Sequence, residues 1–145
     1  MIRPLQLTGL GASLAKYTYR TLKFLDLYIT VVGDDHDPLC GLNRELRFIT
    51  GNNIIEELEL YVVVQRDTPC RTESEDWSAF DSVLTESGAF PMLHRVSVEI
   101  WWYSACRDQS EKDAVFESLN EDRFPRLVES KAVKFKFCAK HHNWW

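Results

Sequence analysis

The stretch "IIEELELYVVV", Ile54–Val64, alternates apolar and polar side chains through its middle and ends in an apolar run. Alternation with period two predicts a β-strand with one buried face. A near copy lies upstream: "LDLYITVV" begins at Leu25, and the corresponding "LELYVVVQ" begins at Leu58, 33 residues later. A spacing of this size indicates a structural repeat, which would decide the architecture of the whole chain.

Three copies of the pattern align on their apolar positions. They are "LKFLDLYI" from Leu22, "IEELELYV" from Ile55 and "LHRVSVEI" from Leu93. A fourth copy, "FPRLVESKAVKFKF" (124–137), shares Phe-Pro-x-Leu with "FPMLHRV" (90–96), but its alternation falls one residue out of step. We interpret this slip as a β-bulge or as a degenerate end repeat.

Helix signals follow the first strand. Asp37–Pro38 supplies an N-cap residue and a proline at the first helical position. Leu39, Leu42, Leu46 and Ile49 then fall on one helical face, and Gly51 is a suitable C-terminal stop.

Similar signals follow the second and third strands. Trp77, Phe80 and Leu84 have helical spacing and precede Gly88, a second stop. After the third strand, Ser110–Asp113 resembles a capping box.

These signals predict a repeated unit of strand, loop, helix and short loop. Such units give parallel strands joined by right-handed crossovers. We therefore expect an α/β fold: a right-handed solenoid of about four strand–helix units with a parallel sheet, over residues 22–137. Residues 1–21 would be an N-terminal cap, formed by a short helix, or the remnant of a preceding repeat, and 138–145 a C-terminal tail. Uncapped solenoid ends would promote self-association.

A compact doubly wound α/β domain is the alternative. Its strands are buried on both faces and read as continuous apolar runs. Here Asp26, Glu59, Ser97 and Glu99 occupy the positions between the apolar residues. This pattern favours a sheet with one solvated face.

The motif L-x-x-L-x-L in "LKFLDL", "IEELEL" and "LHRVSV" resembles the strand segment of a leucine-rich repeat. Units of 33 to 38 residues resemble the irregular repeats of fungal F-box proteins. In those proteins an F-box docks on a ubiquitin-ligase adaptor and the solenoid binds the substrate, so the resemblance implies a substrate-recognition surface.

The chain departs from that family in two ways. The position that carries Asn or Cys in regular repeats holds Thr30, Val63 and Trp101, so an asparagine ladder is absent. Only 21 residues precede Leu22, too few for an F-box of some forty residues. By resemblance, the chain looks like the substrate-side solenoid alone, or like a truncated version of such a protein.

Composition limits the classes of partner and compartment. The 145 residues are 45% hydrophobic and carry a net charge of −5, which indicates a globular domain. The acidic balance disfavours nucleic acid and anionic membranes as partners. Four cysteines without a convincing secretion signal predict reduced thiols in a cytoplasmic or nuclear protein.

No sequence motif indicates catalysis. Glycine-rich phosphate loops, nucleophile elbows and zinc-protease motifs do not occur. Cys138-x-x-His141-His142 has ligand types suited to zinc, but no second ligand pair accompanies it. The acidic segment "GDDHD" (33–37) lacks the ligand spacing of an EF-hand. We predict a non-enzymatic protein without cofactor or metal.

One set of residues predicts a partner surface. Tyr28 and Tyr61 occupy matching positions on the solvated side of the sheet, and Trp101 ends the third strand on that side. Exposed aromatic rings beside acidic residues are typical of protein-binding hot spots. We expect this stripe to bind a basic or Tyr/Arg-rich protein ligand. Its predicted members are Asp26, Tyr28, Glu59, Tyr61, Glu99 and Trp101.

Function therefore has three readings. The first is a protein-interaction module of substrate-recognition type, in an F-box-like context. The second is a stand-alone binding module or secreted effector, which disulfides among the cysteines would favour. The third is a small enzyme, which a pocket uniting Cys or His with carboxylates would favour.

Overall fold

The computed structural model of the protein describes residues 9–18, 20–32, 41–65, 75–104 and 123–143. They form a mixed α/β fold with one four-stranded parallel sheet, in the order β1-β2-β3-β4. A doubly wound sheet reverses its strand order, and the four described strands show no reversal. The expected α/β class with a parallel sheet is confirmed. The strands are β1 Phe24–Val32, β2 Glu57–Gln65, β3 Arg95–Ser104 and β4 Lys134–Asn143.

The strand register matches the predicted alignment of the first three copies. Leu25 pairs with Leu58, and Leu58 pairs with Val96. Alternate residues of each strand therefore enter one core, while those between them face the other side of the sheet.

The predicted bulge in the fourth copy is wrong. Val96 pairs with Phe135, and pairing continues one to one from Lys134 to Asn143. The additional residues lie before the strand, in a short helix, Pro125–Glu129, that has no counterpart after Phe90. Proline in its first turn has the φ angle that a helix start requires.

The predicted tail is also corrected. β4 extends to Asn143, six residues beyond the expected boundary at Phe137. Residues 138–143 therefore belong to the sheet, where they pair with β3.

Two helices cover the core side of the sheet: α2, Leu42–Arg47, and α3, Glu75–Thr85. Six residues of their predicted apolar faces are buried, as expected, while Leu39 lies outside the described residues. Gly51 and Gly88 follow them with positive φ angles, 76° and 77°, a conformation that L side chains disfavour. The expected N-cap at 37–38 and the helix expected after Ser110 lie outside the described residues. The buried faces are formed by Leu42, Leu46, Ile49, Trp77, Phe80 and Leu84.

The N-terminal segment forms a short helix, α1, Leu10–Ser13, which continues as a π-helical turn, Leu14–Thr18. It packs on α2 so closely that a Cβ at Gly11 would clash with the Glu45 carbonyl and lie 2.9 Å from the Phe48 Cβ. The Gly9 amide donates to Glu45 Oε1 at 2.7 Å.

Asn53 connects consecutive units at the helix-to-strand loops. This buried side chain donates through Nδ2 to the carbonyls of Ile49 (2.7 Å) and Ala89 (3.0 Å). Its Oδ1 accepts from the Ile55 amide at 3.3 Å. The Gly51 amide also donates to the Ala89 carbonyl, at 2.8 Å, so two hydrogen bonds join the two loops.

The helix α4, Pro125–Glu129, is attached to α3 by a buried carboxylate. Leu127 N donates to Asp81 Oδ1 at 2.8 Å, and Arg126 N donates to Oδ2 at 3.1 Å. Burial raises the pKa of the Asp81 carboxyl above its ordinary 3.8, because desolvation outweighs these two amides and the Arg126 charge, which lower it.

An aromatic cluster fills the space between α3 and the end of the sheet. Phe124 is fully buried and meets Trp77 edge to face, with ring centroids 5.9 Å apart. It meets Phe80 in the same way at 6.3 Å. Phe135 and Phe137 of β4 lie 5.2 and 5.4 Å from it. Phe124 thus joins the last strand to the helical layer.

Candidate partner-binding surface

The six predicted partner-binding residues lie on one side of the sheet, opposite the core. We call this side the open face. It is formed by alternate residues of the four strands, including Asp26, Tyr28, Glu59, Tyr61, Glu99 and Trp101. Tyr28 is 66% exposed, Asp26 and Glu59 are exposed, and the other three residues are half-buried.

Three aromatic rings form a ladder across the open face. Tyr28 pairs with Tyr61 in the register, and their rings stack with centroids 5.0 Å apart and planes 12° from parallel. Trp101 lies 5.8 Å from Tyr61, tilted by 33°. It reaches Tyr61 diagonally, because the residue directly opposite Tyr61 on β3 is Glu99.

A shallow depression of about 360 Å³ lies beside the two tyrosines. Carboxylates and aromatic rings line it together, and its lining contains neither cysteine nor histidine. Its main lining side chains are Asp26, Tyr28, Glu59, Tyr61, Ser97 and Glu99.

Glu99 binds two neighbours on the open face. The Trp101 indole Nε1 donates to Glu99 Oε1 at 2.6 Å. Lys140 Nζ lies 3.7 Å from the same oxygen and 4.9 Å from the centroid of the Trp101 ring. The ammonium group thus combines an ion pair with a cation–π contact.

Sequence reasoning missed Lys140, because it assigned residue 140 to a tail. The signal was present, since Lys134, Lys136, Cys138 and Lys140 continue the alternation of "KFKF" and share the open face of β4.

Charge is distributed unevenly across the open face. Asp26 of β1 and Glu57 and Glu59 of β2 make one side acidic. Arg95 of β3 and the three lysines of β4 make the other side mainly basic, although Glu99 of β3 also lies there. The predicted acidic stripe therefore describes only half of the surface.

The zinc candidate, Cys138-x-x-His141-His142, lies on β4. Cys138 is a half-buried free thiol on β4, which also contains His141 and His142. In the part of the chain that the structure describes, no three His, Cys, Asp or Glu residues come together as metal ligands. The other three cysteines lie outside that part.

Within the described ranges, no helix has the length and apolar character needed to cross a membrane.

No family model, curated protein or solved structure matches this chain.

Proposed function

We propose that the protein is a non-enzymatic interaction module, a leucine-rich-repeat-like solenoid that binds a protein partner on its open face. The aromatic ladder is the observation that carries this proposal. Tyr28 keeps 66% of its surface exposed although it stacks on Tyr61, and acidic side chains flank both rings. Tyrosine and tryptophan contribute large binding areas at low entropic cost, which is why they dominate interaction hot spots.

The arrangement of the sheet supports the same proposal. Side chains from consecutive units lie in rows across parallel strands, so each row presents several copies of one position. The resemblance to F-box-type solenoids suggests a setting, substrate recognition for a ubiquitin ligase in the cytoplasm or nucleus. No step of that setting requires chemistry from this chain.

The test is selection of random peptides on the immobilised chain, followed by measurement of their dissociation constants. We expect peptides that carry Arg or Lys beside apolar residues, because carboxylates and rings alternate on the face. Tyr28→Ala/Tyr61→Ala should weaken the selected peptides at least about tenfold, the effect of losing a hot spot.

Met92→Ala/Val128→Ala is the matched control. Both residues are about half exposed and lie outside the open face, so their removal should leave the affinity within about twofold. Peptides whose affinity is unchanged by the tyrosine substitutions would contradict the proposed site.

A further inference from the structure

Two acidic residues of the open face have basic counterparts across the middle of the sheet. At one level along the strands, Glu57 of β2 pairs in the register with Arg95 of β3. Two residues further along the strands, Asp26 lies on the outer strand β1. Lys136 lies at the same height on the other outer strand, β4. Asp26 and Glu57 on one half of the face therefore have basic counterparts on the other half, whereas Glu59 has Ser97 as its counterpart.

We propose that the open face binds the open face of a second copy of this chain, about a two-fold axis parallel to the strands. The inference rests on the proposed function, because it names the protein partner of that surface. A two-fold axis in this direction reverses the order of the strands but leaves each residue at the same height along them. β1 of one copy then lies over β4 of the other, and β2 lies over β3.

The register determines which residues meet. Glu57 faces Arg95 of the second copy, and Asp26 faces Lys136 of the second copy. Packed sheets with aligned strands are an ordinary arrangement of two β layers.

Lys140 shows how this surface holds a lysine. Its ammonium group lies beside the Glu99 carboxylate and above the Trp101 ring. The depression offers the same two components, the Asp26 and Glu59 carboxylates and the Tyr28 ring. Among the described residues, Asp26 and Glu59 have no ion-pair partner. Lys136 of the second copy is the cation that the two-fold axis brings to them.

The size of the face sets the strength of the contact. Strands of nine or ten residues are about 30 Å long, and four strands are about 19 Å wide. The contact would bury on the order of 600 Å² per copy, near the lower limit for a specific interface. We therefore expect a dissociation constant in the micromolar range that rises with salt, since the screening length falls from about 10 Å at 0.1 M to about 3 Å at 1 M.

The experiment measures self-association of four chains by sedimentation velocity between about 1 and 500 μM. They are the wild type, Asp26→Lys, Lys136→Glu and the double charge swap Asp26→Lys/Lys136→Glu. Each single reversal places like charges together twice in the dimer, so each should raise the dissociation constant at least about tenfold.

The double swap should restore association to within about threefold of the wild type. Residues 26 and 136 are three strand spacings apart within one chain, about 14 Å, so restoration requires contact between copies. Glu129→Lys and Arg44→Glu are controls with matched charge changes at exposed helix positions, and both should associate like the wild type.

Three results would overturn the proposal: a wild type that stays monomeric up to the highest concentration, single reversals that behave like their controls, or a double swap that does not restore association. Association that ignores both reversals would place the contact elsewhere, such as the edges of the sheet. If the chain is monomeric but peptide binding still depends on the two tyrosines, the dimer is wrong and the proposed function stands. If tyrosine-dependent binding and association both fail, both proposals are wrong.

Discussion

At the scale of single residues, the buried side chain of Asn53 connects the loop before β2 to the loop before β3. It lies in the loop before β2 rather than at the strand-to-loop corner, and it contacts the next unit through the Ala89 carbonyl. The corner positions hold Thr30, Val63 and Trp101. One buried side-chain amide thus links two loops at the end of the sheet where the strands begin.

We predict that Asn53→Ala lowers the free energy of unfolding by about 1–3 kcal/mol, because the Ile55 amide loses its acceptor and two carbonyls lose a donor. Urea unfolding followed by circular dichroism measures the change. Asn52→Ala alters the adjacent exposed asparagine and should stay within about 0.5 kcal/mol of the wild type. Equal effects of the two substitutions would exclude this role for Asn53.

Asp81 gives a prediction about pH. Its pKa is raised in the folded protein, so the folded state binds the proton more tightly than the unfolded state. As pH rises above 3.8 and through the folded pKa, this carboxyl therefore lowers the free energy of unfolding. Asp81→Asn removes the titration, so the stability of the wild type relative to the variant should fall as pH rises.

Urea unfolding of both proteins from about pH 4 to pH 7 tests this sign. A relative stability that rises with pH would show that the Arg126 and Leu127 amides outweigh desolvation.

At the scale of elements, the docking of α1 on α2 depends on the absence of a side chain at residue 11. Because a Cβ there would clash with the backbone of Glu45, which cannot rotate away, the two helices must separate to accommodate it. We predict that Gly11→Ala lowers the free energy of unfolding by about 1–3 kcal/mol, although alanine has the better helix propensity.

Thermal unfolding and hydrogen exchange of the Gly9 amide would measure this effect. Protection of that amide should fall in Gly11→Ala, since its bond to Glu45 requires the close approach. Ala12→Ser, at an exposed position of the same helix, is the control. An unchanged melting temperature in Gly11→Ala would contradict the docking.

Much of the element pattern could be predicted, because two periods are strong in this sequence. Period two fixed the strand faces, and the spacing of Trp77, Phe80 and Leu84 fixed one helix face. The fourth unit could not be placed correctly, since Phe90 and Phe124 match in sequence while the chain inserts a helix after only one of them.

The candidate site was also predicted correctly only where the strand pattern is clear. Tyr28 and Tyr61 were placed correctly, because their strands have a clear register. Lys140 was missed because the strand was expected to end at Phe137, and lysine is uncommon in strands; pairing with β3 extends β4 to include it.

At the scale of the whole molecule, Phe124 joins the last strand to the helical layer. Its ring contacts residues of α3 and β4, and it is fully buried. We predict that Phe124→Ala lowers the free energy of unfolding by about 3–5 kcal/mol, which is a large part of the stability of a domain of this size.

Phe24→Ala is the matched control, because it removes the same ring from a site that is 59% exposed. Its effect should be below about 1 kcal/mol, measured by urea unfolding of both variants. Similar losses in the two variants would show that the cluster around Phe124 does not support the fold.

The aromatic ladder also gives the molecule an optical property. Tyr28, Tyr61 and Trp101 are held within 6 Å of their neighbours at fixed angles, so their electronic transitions couple. At this distance we expect light absorbed by Tyr61 to reach Trp101 by energy transfer. The part of the near-ultraviolet circular dichroism spectrum that is lost in Tyr28→Ala therefore comes from this face. It would report binding of a partner to the face without any attached dye.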